Sequence, residues 1–222
     1  MQAQNYDGEE RYYTADVNVV MGDGASLNVE NEEGFVNLPL GDFTLPTHGV
    51  GNLRKTEYGY NNIYSTIIFA DFDARTASDI YGTPLDDINA LPQEGSAKYY
   101  GTIKGANALN GNVILNTDFA EKTVEGKITD LKDAKSSVSD ITLEKSKIET
   151  AMNDWTYEDE VVFRGKATGG KSEWKDLTYE GHFYGPSGEE AAGTLKMADP
   201  IYPSSPIKQS VAVFTTTRDE QK

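Results

Sequence analysis

The sequence predicts an all-β protein, with an eight-stranded antiparallel β-barrel in its C-terminal half and a smaller β-rich domain before it. The composition favours sheets, because the 222 residues include 21 Gly, 13 Tyr and 8 Phe but only 4 Met, and aromatic, glycine-rich chains of this kind form strands and tight turns. Residues 177–185 give the clearest pattern, in which Leu177, Tyr179, Gly181 and Phe183 alternate with a second set of side chains. This period of two is typical of a half-buried strand.

The N-terminal part contains two strong strand patterns and several weak ones. Residues 10–20 alternate between two faces, and residues 61–72 hold the most hydrophobic run of this half, so we expect 61–72 to be its central strand. Short apolar pieces at 27–29 and 35–40 predict brief strands. Residues 43–51 contain Pro46 and two glycines, which predict an apolar loop.

The boundary between the two predicted domains lies in a polar, turn-rich stretch at 75–95, which includes a short helix at 85–91. We therefore expect an N-terminal clamp or handle domain at residues 1–94 and the barrel at residues 95–222. Residues 145–152 are interpreted as a helical turn that plugs one end of the barrel. A barrel of this size is filled by its own side chains or holds one small ligand, and we expect it to be filled. The predicted barrel strands are 97–104, 112–118, 122–130, 137–143, 158–167, 177–185, 191–198 and 208–217.

Charge and composition exclude several classes of function. The chain has 36 acidic and 20 basic residues, a formal net charge of −16, which repels phosphate backbones and excludes nucleic acid as a partner. It has no cysteine, and therefore no disulfide and no thiolate site. It also lacks a His-Glu-x-x-His, a Gly-x-Ser-x-Gly and a phosphate-binding loop, so we predict that it is not an enzyme. Glu189 and Glu190 are interpreted as carboxylates that brace a turn.

Two segments of the C-terminal half resemble a known family. Residues 181–195 read Gly-His-Phe-Tyr-Gly-Pro-Ser-Gly-Glu-Glu-Ala-Ala-Gly-Thr-Leu, and residues 117–128 read Thr-Asp-Phe-Ala-Glu-Lys-Thr-Val-Glu-Gly-Lys-Ile. Both are similar to segments of the C-terminal barrel of the transferrin-binding-protein B-like surface lipoproteins of Gram-negative bacteria. The resemblance spans about residues 95–217.

The resemblance implies a secreted protein or one displayed on the outer-membrane surface. Proteins of this kind include heme-carrying hemophilins, complement and transferrin binders and host-colonisation lipoproteins, exported by the Slam outer-membrane translocon. They pair a clamp or handle domain with the barrel, so the resemblance implies that the barrel directs export and the first domain binds the ligand. It adds an outer-membrane receptor as a further partner. In a lipoprotein of this kind, the lipid-anchoring cysteine would precede Met1.

The leading functional prediction is a hemophilin-like hemophore, which captures and delivers heme. Imidazole is a common ligand of heme iron, and the chain has two histidines, His48 and His182. We expect His48 to ligate the iron, with His182 or a tyrosine as second ligand, although strand parity places His182 on the outside of the barrel. The other predicted site residues are apolar walls and cations for the propionates, namely Phe43, Leu45, Val50, Arg54 and Lys55.

The alternative prediction is a surface lipoprotein that binds a host protein or mediates host colonisation. Tyr58, Tyr60 and Tyr64 share one parity and would act as rigid anchors for a protein partner. The same pattern is typical of tyrosines that lie on the surface of a sheet and have no binding role. The sequence leaves both functions open.

Overall fold

The computed structural model describes residues 18–20, 26–31, 34–38, 40–50, 53–72, 75–153, 157–198 and 208–219. Within these ranges the chain is almost entirely β, as predicted, and its strands form a closed barrel and two smaller sheets. A short 3-10 helix at Ile88–Ala90 is the helical element that these ranges contain. No helix among the described residues is long or apolar enough to cross a bilayer.

Two small antiparallel sheets precede the barrel. The first has three strands and includes residues 18–20 of the predicted strand at 10–20, the rest of which lies outside the described residues. The second has four strands in sequential order. The strands are β1 (Asn18–Val20), β2 (Ser26–Asn31) and β3 (Gly34–Leu38) in the three-stranded sheet, and β4 (Gly41–Val50), β5 (Leu53–Asn61), β6 (Thr66–Phe72) and β7 (Arg75–Tyr81) in the four-stranded sheet.

The four-stranded sheet corrects two of the sequence predictions. The loop predicted at 43–51 is wrong, because Gly41–Val50 form strand β4. This strand tolerates Pro46 because it lies at the edge of the sheet and has a bulge between Leu45 and His48. A proline that donates no hydrogen bond is tolerated at such a place. The turn-rich stretch predicted from residue 75 begins with strand β7. The predicted central strand is confirmed in β6, an inner strand whose Ile67 and Phe69 are fully buried.

The barrel consists of eight antiparallel strands and is closed by pairing of the last strand with the first, so the predicted barrel is confirmed. Each of the eight predicted strands overlaps an observed one. The strands are β8 (Ser96–Gly105), β9 (Leu109–Asp118), β10 (Thr123–Lys132), β11 (Ile141–Met152), β12 (Asp159–Gly169), β13 (Thr178–Tyr184), β14 (Glu190–Ala198) and β15 (Lys208–Arg218).

The barrel interior is filled by its own side chains, as predicted. The rings of Phe163 and Phe183 lie with their centroids 5.2 Å apart, and glycines leave space for such rings. A Cβ atom at Gly181 would overlap with Cζ of Phe163, so this ring rests directly on the backbone of the neighbouring strand. Further side chains that are fully buried in this core are Tyr99, Tyr179, Phe214, Ile103, Leu109, Leu115 and Ile128.

Residues 84–92 close one end of the barrel. The Leu85 amide donates to the Phe183 carbonyl at 2.8 Å and the Leu85 carbonyl accepts from the Val161 amide at 2.6 Å, so Leu85 is inserted between β12 and β13. Leu91 is buried in the barrel core. The helical plug predicted at 145–152 is wrong, because these residues continue β11 and pair with β12 as far as Met152. The domain boundary after residue 94 stays a prediction.

One face of the four-stranded sheet packs on the outer wall of the barrel. Ile67 and Phe69 of β6 form a buried apolar cluster with Tyr184, Ala192 and Val213 of β13, β14 and β15. Each of these five side chains is at most 4% exposed. The sheet and the barrel therefore share a continuous hydrophobic contact, which positions the surface residues at its edge.

Candidate functional site

A buried carboxylate fastens the turn between β5 and β6 to the barrel. Glu190, at the start of β14, is 2% exposed. Its Oε1 accepts hydrogen bonds from the amides of Ile63 at 2.9 Å and Tyr64 at 3.1 Å, and its Oε2 accepts from the Ser65 hydroxyl at 2.7 Å. Burial raises the pKa of Glu190, and these hydrogen bonds act in the opposite direction.

Further polar contacts fasten the same turn and the sheet behind it. The Asn62 side-chain amide donates to the Thr215 hydroxyl at 2.8 Å. The hydroxyls of Ser78 and Ser210 lie 2.7 Å apart and join β7 to β15. Buried polar groups that have hydrogen-bond partners favour one arrangement of the parts they join. These contacts therefore hold the four-stranded sheet in one position on the barrel.

Three exposed apolar side chains lie around this turn, and we call them the junction patch: Leu40, Ile63 and Tyr100. They are 53%, 47% and 46% exposed. The backbone brings them together, because Leu40 precedes the residue that pairs with Asn61 at the end of β5. On the barrel, Glu190 accepts from the Ile63 amide and is paired with Thr217 of β15. Thr217 is in turn paired with Tyr100 of β8.

The barrel wall around Tyr100 differs in charge from the rest of the chain. No Asp or Glu occurs between residues 95 and 117, where the charged residues are Lys98 and Lys104. Lys104 forms an ion pair with Asp42 of β4 at 2.5 Å, so it also joins the sheet to β8. On its β8 side the junction patch is thus bordered by two lysines and by no carboxylate of that strand, although Asp42 of β4 pairs with one of these lysines.

The predicted heme-site residues lie on β4 and β5. His48 is directly opposite Lys55, and Arg54 and Val50 are within two residues of them on this hairpin, so the backbone does bring them together. The side chains of Leu45, His48, Val50, Arg54 and Lys55 lie outside the described part. The Phe43 side chain is buried, and its ring lies over Gly59, where a Cβ atom would be 2.6 Å from Cζ.

His182 lies on the outer face of the barrel, as its parity predicts, but it is not a free surface imidazole. Its side chain is 17% exposed, and its Nδ1 lies 3.2 Å from Oε2 of Glu160 on β12 without the alignment of a hydrogen bond. Burial lowers the pKa of His182, although the nearby carboxylates of Glu160 and Glu180 oppose this effect. This imidazole is already packed against a carboxylate from the adjacent strand.

The predicted tyrosine anchors serve the contact between sheet and barrel instead. Tyr60 and Tyr64 are partly buried and pack against the apolar cluster of the docked sheet, whereas the Tyr58 side chain lies outside the described residues. The sequence reasoning missed the exposed Tyr100. Its signal was available, because Tyr100 occupies an outward position in the strand predicted at 97–104, where a polar residue is the norm.

Glu189 braces the turn between β13 and β14, as predicted, whereas the same prediction for Glu190 is wrong, because Glu190 binds the β5–β6 turn instead. Its carboxylate accepts from the Ser187 amide at 2.9 Å and from the Ser187 hydroxyl at 2.7 Å. Among the described residues, no cluster of three or more His, Asp or Glu side chains could hold a metal ion. One depression that they line is open and polar, about 510 Å³ in volume, and contains Asp133, Lys135 and Glu173 at the end of the barrel opposite the plug.

Comparison with known proteins relates this architecture to two groups. Residues 89–195 match the family described as Factor H binding protein, C-terminal. Among solved structures, a mutant of Transferrin Binding Protein B (TbpB) from Haemophilus parasuis Hp5 superposes with a TM-score of 0.53 at 18% identity, over 90% of this chain and 42% of that chain. The eight strands form a TbpB-like barrel. No curated protein matches the sequence.

The similarity to TbpB extends beyond the barrel. Isotype 1 TbpB from serogroup B Neisseria meningitidis superposes with a TM-score of 0.53 at 22% identity, over 95% of this chain and 41% of that chain. Intact Ap-TbpB, which has N and C lobes, gives 0.53 at 17% identity, over 95% of this chain and 43% of that one. The chain spans less than half of the length of these proteins, and the shared part includes both the TbpB-like barrel and the small sheets.

Proposed function

We propose that this protein is a non-enzymatic binding protein of the bacterial cell surface, and that it binds a host protein through the junction patch. The observation that carries the proposal is the patch itself, to which the sheet contributes Leu40 and Ile63 and the barrel contributes Tyr100. Two of the compared proteins are named for the proteins that they bind, transferrin and factor H. Their names support a protein ligand for this chain as well.

The filled barrel favours binding on the outside. Its core is occupied by large side chains such as Tyr99, Phe163 and Phe214, so a ligand would have to displace close-packed groups to enter. A ligand on the outer surface displaces only water. Exposed aromatic and aliphatic side chains that lie together on such a surface are typical of protein interfaces.

The junction patch is also held rigid before any partner arrives. The turn that carries Ile63 is fastened by Glu190 and Asn62, and Tyr100 lies within a paired strand. A preorganised contact surface loses little conformational entropy on binding, which favours affinity.

The proposal is tested by capture of a ligand from host serum or mucosal fluid, followed by purification of the captured protein and titration against variants. Tyr100→Ser and Ile63→Ser should each raise the Kd about tenfold, the effect expected at the centre of an interface. Lys147→Ser, an exposed change on β11, is the matched control and should leave the Kd unchanged. Equal Kd values for all four proteins would contradict the junction patch as the binding site.

Heme capture is the competing hypothesis, and the same protein samples can test it. Our proposal predicts no saturable Soret shift when hemin is added to the wild type. A saturable shift that His48→Ala abolishes would replace the protein-binding proposal with the hemophore prediction. Export by a Slam translocon, a lipid anchor, an outer-membrane receptor and a role in host colonisation stay predictions from the family resemblance.

A further inference from the structure

The hairpin between β11 and β12 carries the two most exposed large apolar side chains of the described residues. Tyr157 is 78% exposed and Met152 is 57% exposed. Exposed tyrosine and methionine are enriched at the centre of protein interfaces and depleted elsewhere on protein surfaces. The junction patch does not account for this pair, because it lies on β8 and the β5–β6 turn rather than on this hairpin.

The backbone holds Tyr157 in an unusual conformation. Its φ angle is +59°, in the left-handed region that a bulky side chain seldom adopts. Two hydrogen bonds across the hairpin maintain this conformation: the Tyr157 amide donates to the Asn153 carbonyl at 2.9 Å, and the Asn153 amide donates to the Glu158 carbonyl at 2.8 Å. Strained residues that are fixed in this way are concentrated at sites that contact ligands.

The same hairpin is fastened to the barrel wall and to the His182 cluster. The Asn153 side-chain amide donates to Oε1 of Glu160 at 2.7 Å, and the other oxygen of Glu160 lies beside His182. The Tyr157 ring is therefore attached to a hairpin that hydrogen bonds hold in place. Little conformational entropy of this hairpin is lost when a partner binds the ring.

The charged residues at the end of the hairpin are negative. Glu158 and Asp159 are exposed, and no Lys or Arg occurs between residues 148 and 163. On β8, Lys98 and Lys104 accompany Tyr100 of the junction patch, so the two surfaces differ in charge. Apolar side chains that lie beside carboxylates fit an apolar cleft that is rimmed by Lys and Arg.

We propose that the β11–β12 hairpin is a second contact for the host protein, with Tyr157 and Met152 seated in an apolar cleft and Glu158 and Asp159 paired with Lys or Arg at its rim. This inference rests on the proposed function and assigns it a partner class, a protein with a basic-rimmed apolar cleft. It also adds a second part of the barrel, the β11–β12 hairpin, to the surfaces that contact the ligand.

The test uses the full-length chain and the protein that the wild type captures from host fluid, purified and titrated by biolayer interferometry. Tyr157→Gly removes the ring and suits the left-handed backbone, so the variant should unfold at the same urea concentration as the wild type or a higher one. Its Kd should rise about tenfold or more. Tyr157→Phe, which keeps the ring, should change the Kd less than Tyr157→Gly does.

Charge reversal tests the chemistry of the rim. The double variant Glu158→Lys with Asp159→Lys should lower the association rate and reduce its dependence on salt, because steering by opposite charges is lost. Thr150→Ser, an exposed change on the same hairpin, is the control and should bind like the wild type.

The outcomes separate this inference from the proposed function. Unchanged binding by Tyr157→Gly and by the charge reversal, together with weakened binding by Tyr100→Ser, would overturn the hairpin contact and leave the proposed function intact. If the wild type captures no protein, both are overturned. If the wild type dimerises in sedimentation experiments and Tyr157→Gly does not, the hairpin binds a second copy of this chain, and the host contact is overturned.

Discussion

The barrel has a covered wall and a bare wall, and the two differ in chemistry although both follow the same strand geometry. On the covered wall of β13, β14 and β15, the outward residues Tyr184, Ala192 and Val213 are buried beneath Ile67 and Phe69. On the bare wall of β9 and β10, the outward residues are mostly polar, as in Asn112, Asn116, Glu125 and Lys127. A strand that is buried on both faces loses its alternation, whereas a half-buried strand keeps it.

From this contrast we expect the four-stranded sheet to contribute to the stability of the barrel. Removal of the sheet would expose the apolar side chains of the covered wall, together with the Glu190 and Thr215 contacts to the β5–β6 turn. Exposure of a contiguous apolar surface favours association or unfolding. Single substitutions in the covered wall should therefore change the free energy of unfolding measurably. Substitutions in the bare wall serve as controls.

The largest expected effect is that of a charge introduced into the covered wall. Val213→Asp would place a carboxylate against Ile67 and Phe69, and we expect the free energy of unfolding to fall by about 4 kcal/mol or more. Ile114→Asp, at a half-buried outward position of β9, should lose about 1 kcal/mol. Urea unfolding of both variants measures the difference. Equal losses would mean that the sheet does not stay docked in solution.

The next effect comes from removal of the buried carboxylate that fastens the turn. Glu190→Ala leaves the amides of Ile63 and Tyr64 and the Ser65 hydroxyl without their acceptor, which should cost about 3 kcal/mol. Glu190→Gln retains an oxygen acceptor and should cost less than about 1 kcal/mol at neutral pH. Chemical unfolding ranks the two. A Gln variant as unstable as the Ala variant would contradict this account of the turn.

The smallest predicted effect is a dependence of stability on pH. Burial raises the pKa of Glu190 above its ordinary value of 4.5, so the folded state favours the protonated form. The contribution of Glu190 to stability is then fully present below pH 4.5 and is lost as the pH rises through the raised pKa. Glu190→Gln does not titrate, so its stability relative to the wild type should increase from pH 4.5 towards neutrality. A relative stability that decreases over this range would show that the hydrogen bonds outweigh burial.

Local patterns were sufficient to predict the barrel, because alternation and turn residues act over a few positions. They failed at residues 145–152, where a bulge between Leu143 and Ile148 shifts the pairing with β12. Exposed Lys145, Lys147 and Glu149 alternate with Ser146, Ile148 and Thr150, among which Ile148 alone is buried. One buried apolar residue is too few to identify an inward face, and from the sequence the segment is interpreted as a helical turn instead.

The docking of the sheet could not be predicted from local patterns, because the contacts join distant parts of the chain. Ser65 and Glu190 are separated by 125 residues. One signal was present in the sequence: residues 211–214 read Val-Ala-Val-Phe, a run that is apolar on both faces and therefore typical of a strand covered on both sides. Such a run shows that a cover exists but does not identify it. The junction patch depends on that identity and was missed for the same reason.

The insertion of Leu85 between β12 and β13 has a mechanical consequence. A pull on the chain from the side of the small sheets reaches the Pro84 bridge to Tyr184 and the two Leu85 hydrogen bonds before it reaches Ser96 at the start of β8. The force is therefore transmitted to β12 and β13. The hydrogen bonds of β8 are not broken one after another. Residues 84–92 therefore protect the pairing of β8 with β15, which closes the barrel, from a pulling force.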